Sequence, residues 1–214
     1  MRKKRSIDVV FYLGVVCLLV WIVDFINIVF IIQKSITLLW YSNTGLLATA
    51  IALLRRDSRL IFTLFCALFI IEGIWGVGFF SLLLFNKAIP GVADYAFAPS
   101  YSSKDFILSL YHLVTPISLL IALVKFRRVY KYGWVGASIF ASALTFITYF
   151  FVDKSQNVNC VHTLDHCRSM LSFLYTVTNP SRLFLGIACI TVVVYIPTNF
   201  ILYKIGKRLR WKRS

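Results

Sequence analysis

The chain has 214 residues, 59% of them apolar, 16% aromatic and 14% charged, with 23 Lys and Arg against 8 Asp and Glu for a formal charge of +15. A soluble domain of that length could not bury so much apolar side chain, so lipid is the expected solvent for most of it. The positive charge raises nucleic acid as a partner, but the basic residues fall between apolar runs and lack the aromatic platforms that hold single strands, which sets that class aside.

A transmembrane helix needs about 20 mostly apolar residues to cross a hydrocarbon core roughly 30 Å thick. In chain order, the stretches 9–32, 35–54, 60–85, 106–124, 133–152 and 183–202 reach or approach that length. The expected fold class is therefore all-α, a polytopic membrane bundle of six transmembrane helices in a single membrane domain covering residues 1–214.

Seventeen basic residues stand before the first stretch, at 55–59, at 125–131 and from 204 onward, against six in the alternate gaps. The positive-inside rule then places both termini in the cytoplasm. The basic start at residues 2–5 resembles a signal peptide, but the apolar core is too long and no small-x-small cleavage site follows, so it reads as an uncleaved first span.

The first two spans are separated by little more than Gln33 and Lys34, which demands a tight antiparallel hairpin. The outer gaps at 86–105 and 153–182 are longer, and loops of that kind are where function concentrates. Within the second, residues 170–177 form an apolar run too short to span, suited to an interfacial or re-entrant segment.

Cys17, Cys66 and Cys189 fall inside spans and read as small buried apolar residues. Cys160 and Cys167 share an outer loop, where an oxidising compartment would let them form a disulfide. That loop also carries His162, Asp165 and His166, residue types that bind zinc, but five candidates within eight residues lack the two-cluster spacing of a structural zinc site, so no metal is expected. Asp153, Asn157 and Asn159 at the outer mouth of the fifth helix would cap its end or line a pocket lid.

Ionisable groups inside spans are expensive and therefore functional candidates. There are three: Asp24, Glu72 and His112. The rise of 1.5 Å per residue puts Asp24 and His112 each about 5 Å to the outer side of the middle of its span, with Glu72, Asn43 and Thr44 near the middle of theirs. Asn27, Trp75, Gly76 and Thr115 follow at helical spacing. Pro116 cannot bond the carbonyl of His112, so a kink is expected there. These groups could bond one another and hold the bundle together, line an outward-leaning ligand pocket, or conduct an ion or proton.

Two stretches, 109–116 (Ser-Leu-Tyr-His-Leu-Val-Thr-Pro) and 157–160 (Asn-Val-Asn-Cys), together with Trp40-Tyr-Ser-Asn43, resemble an uncharacterised family of bacterial six-helix membrane proteins. That resemblance implies the bacterial cytoplasmic (inner) membrane. A looser similarity is to the androgen-induced-gene-type intramembrane hydrolases of fatty acid esters, which use a threonine nucleophile and a histidine. Transferred here, it implies Thr44 and His112 as catalytic residues, with Trp40 standing where the family's threonine belongs. Glu72 or Asp24 would orient the imidazole.

No nucleophile elbow, Walker loop, His-Glu-x-x-His or dinucleotide fingerprint appears, and no cofactor is expected. The leading expectation is a protein that binds membrane lipid or a small amphiphilic ligand, through Asp24, Asn43, Glu72, Thr115, Asn157 and Asn159. A hydrolase using Thr44 and His112 and a proton-coupled carrier are the alternatives.

Overall fold

The computed structural model describes residues 8–89, 93–97, 103–155, 158–162 and 181–213. Helix α1 (Val9–Ile26) continues as a π-helical turn (Asn27–Ile32), and a 3-10 turn (Ser35–Leu39) leads into α2 (Tyr41–Leu54). Then come α3 (Ser58–Phe85), a short α4 (Ser103–Ser109), α5 (Tyr111–Phe126), β1 (Arg128–Val129) and α6 (Gly133–Phe151). The last span is α7 (Ser181–Ile190), a π-helical turn (Thr191–Tyr195) and α8 (Ile196–Arg208), followed by β2 (Lys212–Arg213).

Among the described residues, five helical runs are long and apolar enough to cross a membrane: Val9–Ile32, Ser58–Phe85, Phe106–Phe126, Gly133–Phe151 and Leu183–Arg208. Phe30, Phe85, Phe150, Phe151 and Val193 are each more than half exposed, an outward apolar surface that suits lipid rather than water.

The second expected span differs from the sequence reading. Its regular part, α2, has 14 residues, about 21 Å of helix at 1.5 Å per residue, short of a full hydrocarbon core. The chain breaks at Trp40, whose ψ of 141° is extended. Side chains take carbonyls that a continuing helix would use: Asn43 Nδ2 donates to Thr37 O at 3.0 Å and Thr44 Oγ1 to Leu38 O at 3.2 Å. Such local competition with the helix ladder is what Ser, Thr and Asn do.

The fourth span is interrupted at Leu110, not at Pro116, through which α5 runs as a regular helix. Ser109 Oγ donates to Phe106 O at 2.8 Å, and the N–H groups of Leu110 and Leu113 bond three residues back, tightening the turn. In the last span the π-helical turn lies just before Pro197, which cannot bond the carbonyl of Val193, so the ladder widens there.

Helix α3 is the hub, packed against α2, α5 and α6. Close approach rests on small residues: a Cβ on Gly45 would stand 2.7 Å from Leu68 Cδ2, and one on Gly14 would stand 2.9 Å from the Leu54 nitrogen. Leu46, Leu53, Phe62, Leu64, Leu68, Leu119 and Tyr195 form the centre of the core.

The ends carrying the basic loops are tied together. Asp8 caps α1 and pairs with Arg56 at 2.5 Å, Asp57 caps α3, and Ser58 Oγ meets Tyr130 Oη at 2.6 Å. Strands β1 and β2 pair in parallel, with Lys212 N–H donating to Arg127 O at 2.9 Å. Two residues per strand suffice because Val129 packs directly onto Gly206.

Candidate functional site

Interhelical contacts fix which residues share a depth. Gly14 of α1 sits against Leu53 and Leu54 of α2, Cys17 Sγ of α1 lies 3.6 Å from Ser118 Oγ of α5, and Gly45 of α2 sits against Leu68 of α3. Counting from those points along antiparallel helices sets Asp24, Asn43, Glu72 and His112 within about 5 Å of one level. All four side chains are buried, as are Asn27 and Thr115 near them, while the buried Thr49 and Ser118 lie about 9 Å further along α2 and α5. Helices α1, α2, α3 and α5 therefore enclose a polar layer inside an apolar bundle.

At its centre His112 Nδ1 lies 2.5 Å from Glu72 Oε2. The two side chains are hydrogen-bonded at that distance, which ties α5 to α3. The imidazole stacks on Trp75, with centroids 4.3 Å apart, and on Tyr111 at 4.4 Å. Trp75 lies one helical turn beyond Glu72, so a single face of α3 supplies both the carboxylate and an aromatic wall. Glu72 Oε1 and Asn43 Oδ1 are buried with no hydrogen-bond partner among the described residues.

The remaining candidates divide. Thr44 donates to Leu38 O, and Thr115 Oγ1 donates to Tyr111 O at 3.0 Å, so neither hydroxyl is aimed at the imidazole. Asn159 lies away from the polar layer: Oδ1 accepts from Tyr41 N–H at 2.8 Å and Nδ2 donates to Leu39 O at 2.8 Å, clipping the fifth helix's outer loop to the break before α2. Asp153 accepts from the Ser155 amide at 2.8 Å and hydroxyl at 2.6 Å, bonds that hold its carboxyl below the ordinary range. His162 is half-buried, stacked on Tyr149 and bonded to Val152 O at 3.2 Å.

Asn157, Asp165, His166, Cys167 and the side chain of Cys160 lie outside the described residues. The expected disulfide and the outer-loop ligand set fall there, as does the apolar run at 170–177. Cys17, Cys66 and Cys189 are free thiols, and no three His, Cys, Asp or Glu cluster together among the described residues.

Two polar contacts escaped the sequence reading. Tyr41 Oη and Tyr195 Oη meet at 2.8 Å, joining α2 to the last span. Asn199 accepts from Trp134 N–H and donates to Lys131 O, both at 3.1 Å, and so caps the start of α6. The signal was present in Tyr195-Ile-Pro-Thr-Asn199, a polar cluster inside an otherwise apolar span.

Beside the polar layer an open groove of about 260 Å³ runs along the seam between α1 and α5. Leu19, Val20 and Val23 form one wall and Leu110, Tyr111 and Val114 the other, and it continues past the helix break to Ile107. Leu19, Val23 and Ile107 are more than half exposed, so it opens to the surroundings of the bundle. Tyr111 belongs to both features, lining the groove and stacking on His112.

Comparison with known proteins gives no match: no family model fits the sequence, and neither a curated protein nor a solved structure is significantly similar to it.

Proposed function

We propose that this is a six-span protein of the bacterial cytoplasmic membrane, with both termini inside, that binds a small amphiphile between its first and fourth spans. The observation that carries the reading is the sharing of Tyr111 by an apolar groove and the buried Glu72–His112 pair. An acyl chain laid in the groove would pass the depth of Asp24 and His112. The groove is apolar apart from Tyr111, and small-molecule sites are mostly apolar clefts with few polar groups. In a bilayer the groove is bathed in acyl chains, so its natural occupant is a lipid or lipid-like chain.

The hydrolase alternative gains no support, because the Thr44 hydroxyl is engaged by Leu38 O. A nucleophile must lie within hydrogen-bond reach of its base.

The test is photo-crosslinking with a dodecyl amphiphile carrying a diazirine on its chain. Label should concentrate on peptides containing Leu19–Val23 and Leu110–Val114, and Val114→Trp, which fills the groove, should remove it. Label spread evenly over the lipid-facing helices and indifferent to Val114→Trp would refute the reading. Topology is checked separately in a background without native cysteines: Ser6→Cys should label only from the cytoplasm and Lys87→Cys only from outside.

A further inference from the structure

The chain's whole positive excess falls in the four basic gaps. They hold seventeen Lys and Arg against two acids, Asp8 and Asp57, whereas the rest of the sequence holds six residues of each sign. Both acids are engaged: Asp8 caps α1 and pairs with Arg56, and Asp57 caps α3. Every Lys and Arg at 55–59, 125–131 and 204–212 is exposed.

An orientation signal needs only an excess of Lys and Arg in the loops. Here the fold also holds the charges in place, against local preference. The three helices that end on this face, α2, α5 and α8, each close through an arginine in the left-handed conformation: Arg56 at φ 53°, Arg127 at 51° and Arg210 at 56°. Glycine or asparagine is the usual residue there, and helical runs ending at the opposite end of the bundle close through Asn86 and Gln33. Strands β1 and β2 then set Arg128 and Lys212 side by side as ladder partners, both exposed, and like charges so placed oppose the pairing. Trp211 draws the tail in nevertheless: its N–H donates to Gly206 O at 2.8 Å and its side chain packs on the core.

An anion seated on this cluster relieves the repulsion, and the surroundings say which anion. Val124, Ile201, Ile205 and Leu209 are exposed on the same helix ends as the exposed Lys125, Lys204, Lys207 and Arg208. Apolar and cationic side chains interleaved within a helical turn belong where acyl chains give way to headgroups. Tyr132, exposed, and Trp211, half-buried, are the aromatic types that sit at that boundary. We propose that this face binds anionic phospholipid headgroups, and that Arg127, Arg128, Arg210 and Lys212 around the β1–β2 clip are its strongest point. A guanidinium bonds two phosphate oxygens through its planar fork, and the lysine beside it adds a point charge. The face lies at the other end of α1 and α5 from the groove, so the proposal does not depend on what the groove holds.

The experiment titrates the full chain, in non-ionic detergent at low salt, with phosphatidylglycerol and phosphatidylcholine carrying the same dioleoyl tails, and counts bound lipid by native mass spectrometry. Each basic residue near a lipid surface is worth about fivefold, so phosphatidylglycerol should bind at least about twentyfold more tightly, a preference that shrinks as salt is raised. Arg128→Gln with Lys212→Gln should remove most of that preference, with exchange of the residue 212 amide no faster than in the wild type, showing that the clip survives. Arg127→Gly, whose φ glycine adopts without strain, should lower the preference about fivefold with the unfolding midpoint unreduced, which a role in helix ending alone would not give. Lys34→Gln with Lys87→Gln, the same loss of charge outside the basic gaps, should leave the preference as it was. Equal binding of the two lipids to the wild type, or equal losses in the two double variants, overturns the proposal. Displacement of phosphatidylglycerol by inorganic phosphate, polyglutamate or an oligonucleotide at matched ionic strength also overturns it, in favour of a soluble anion.

Discussion

Asn159 offers a sharp test of how the bundle holds its broken second span. Its backbone is left-handed, with φ 55°, and its amide makes two 2.8 Å bonds to the backbone on either side of Trp40. Asn159→Gly keeps the φ and removes both bonds. Each is worth about 1 kcal/mol, and a part-buried Tyr41 N–H left without an acceptor adds to that, so a loss of roughly 2–3 kcal/mol is expected. Asn159→Ala removes the same bonds and forces a Cβ into the left-handed region, for about 1 kcal/mol more. Unfolding in mixed micelles should therefore rank wild type above glycine above alanine, and hydrogen exchange should show the Tyr41 amide deprotected in both variants. Glycine matching the wild type would show that the amide bonds contribute nothing. Alanine matching glycine would show that the backbone relaxes out of the left-handed region.

His112→Ala should destabilise by about 3–5 kcal/mol because it leaves Glu72 buried without its partner, whereas Glu72→Leu combined with His112→Ala should cost less than that single change. Purely additive losses in micelle unfolding would mean that the two groups do not act as a pair. A Cβ on Gly206 would stand 2.6 Å from Val129 Cγ1, so Gly206→Ala should pry β1 from β2 and speed exchange of the Lys212 amide, with Val129→Ala restoring it. The Asp153 carboxyl is held low by Ser155, so its contribution to the loop is present above the ordinary carboxylate pKa and is lost as pH falls through the lowered value. Exchange of the Ser155 amide should therefore quicken in acid, and Asp153→Asn should abolish that step.

Much of the layout was legible because lipid leaves few options. Apolar length marks the spans Val9–Ile32 and Ser58–Phe85 within a residue or two, and Asp57 and Asn86 at the ends of α3 are the residue types that cap helices. The break in the second span was hidden because 35–54 is apolar enough to pass, and what interrupts it is partly distant: Asn159 must come back in space to bond Leu39. Depth was legible too, since rise per residue depends only on position. Rotation was not, so the meeting of Glu72 with His112 could be set beside Thr44 as an equal candidate, whereas in the fold Thr44 turns back to Leu38 and His112 turns to α3. Where Pro116 suggested a kink, the helical run is interrupted at Leu110, six residues earlier, next to the bond from the Ser109 hydroxyl to Phe106 O.

The intramembrane polar residues can be sorted by what they satisfy. Non-helical backbone at membrane depth needs partners, and Asn43, Thr44, Asn159 and Asn199 each bond a main-chain group where a helix starts or breaks. Their polarity is explained by the fold. Glu72 is different: it stands in the middle of an unbroken helix, and among the described residues its hydrogen bond goes to a histidine side chain and not to the backbone. A leucine there would fill space at far lower cost, and small residues already bring α3 close to its neighbours. Packing alone therefore does not account for a carboxylate at this position.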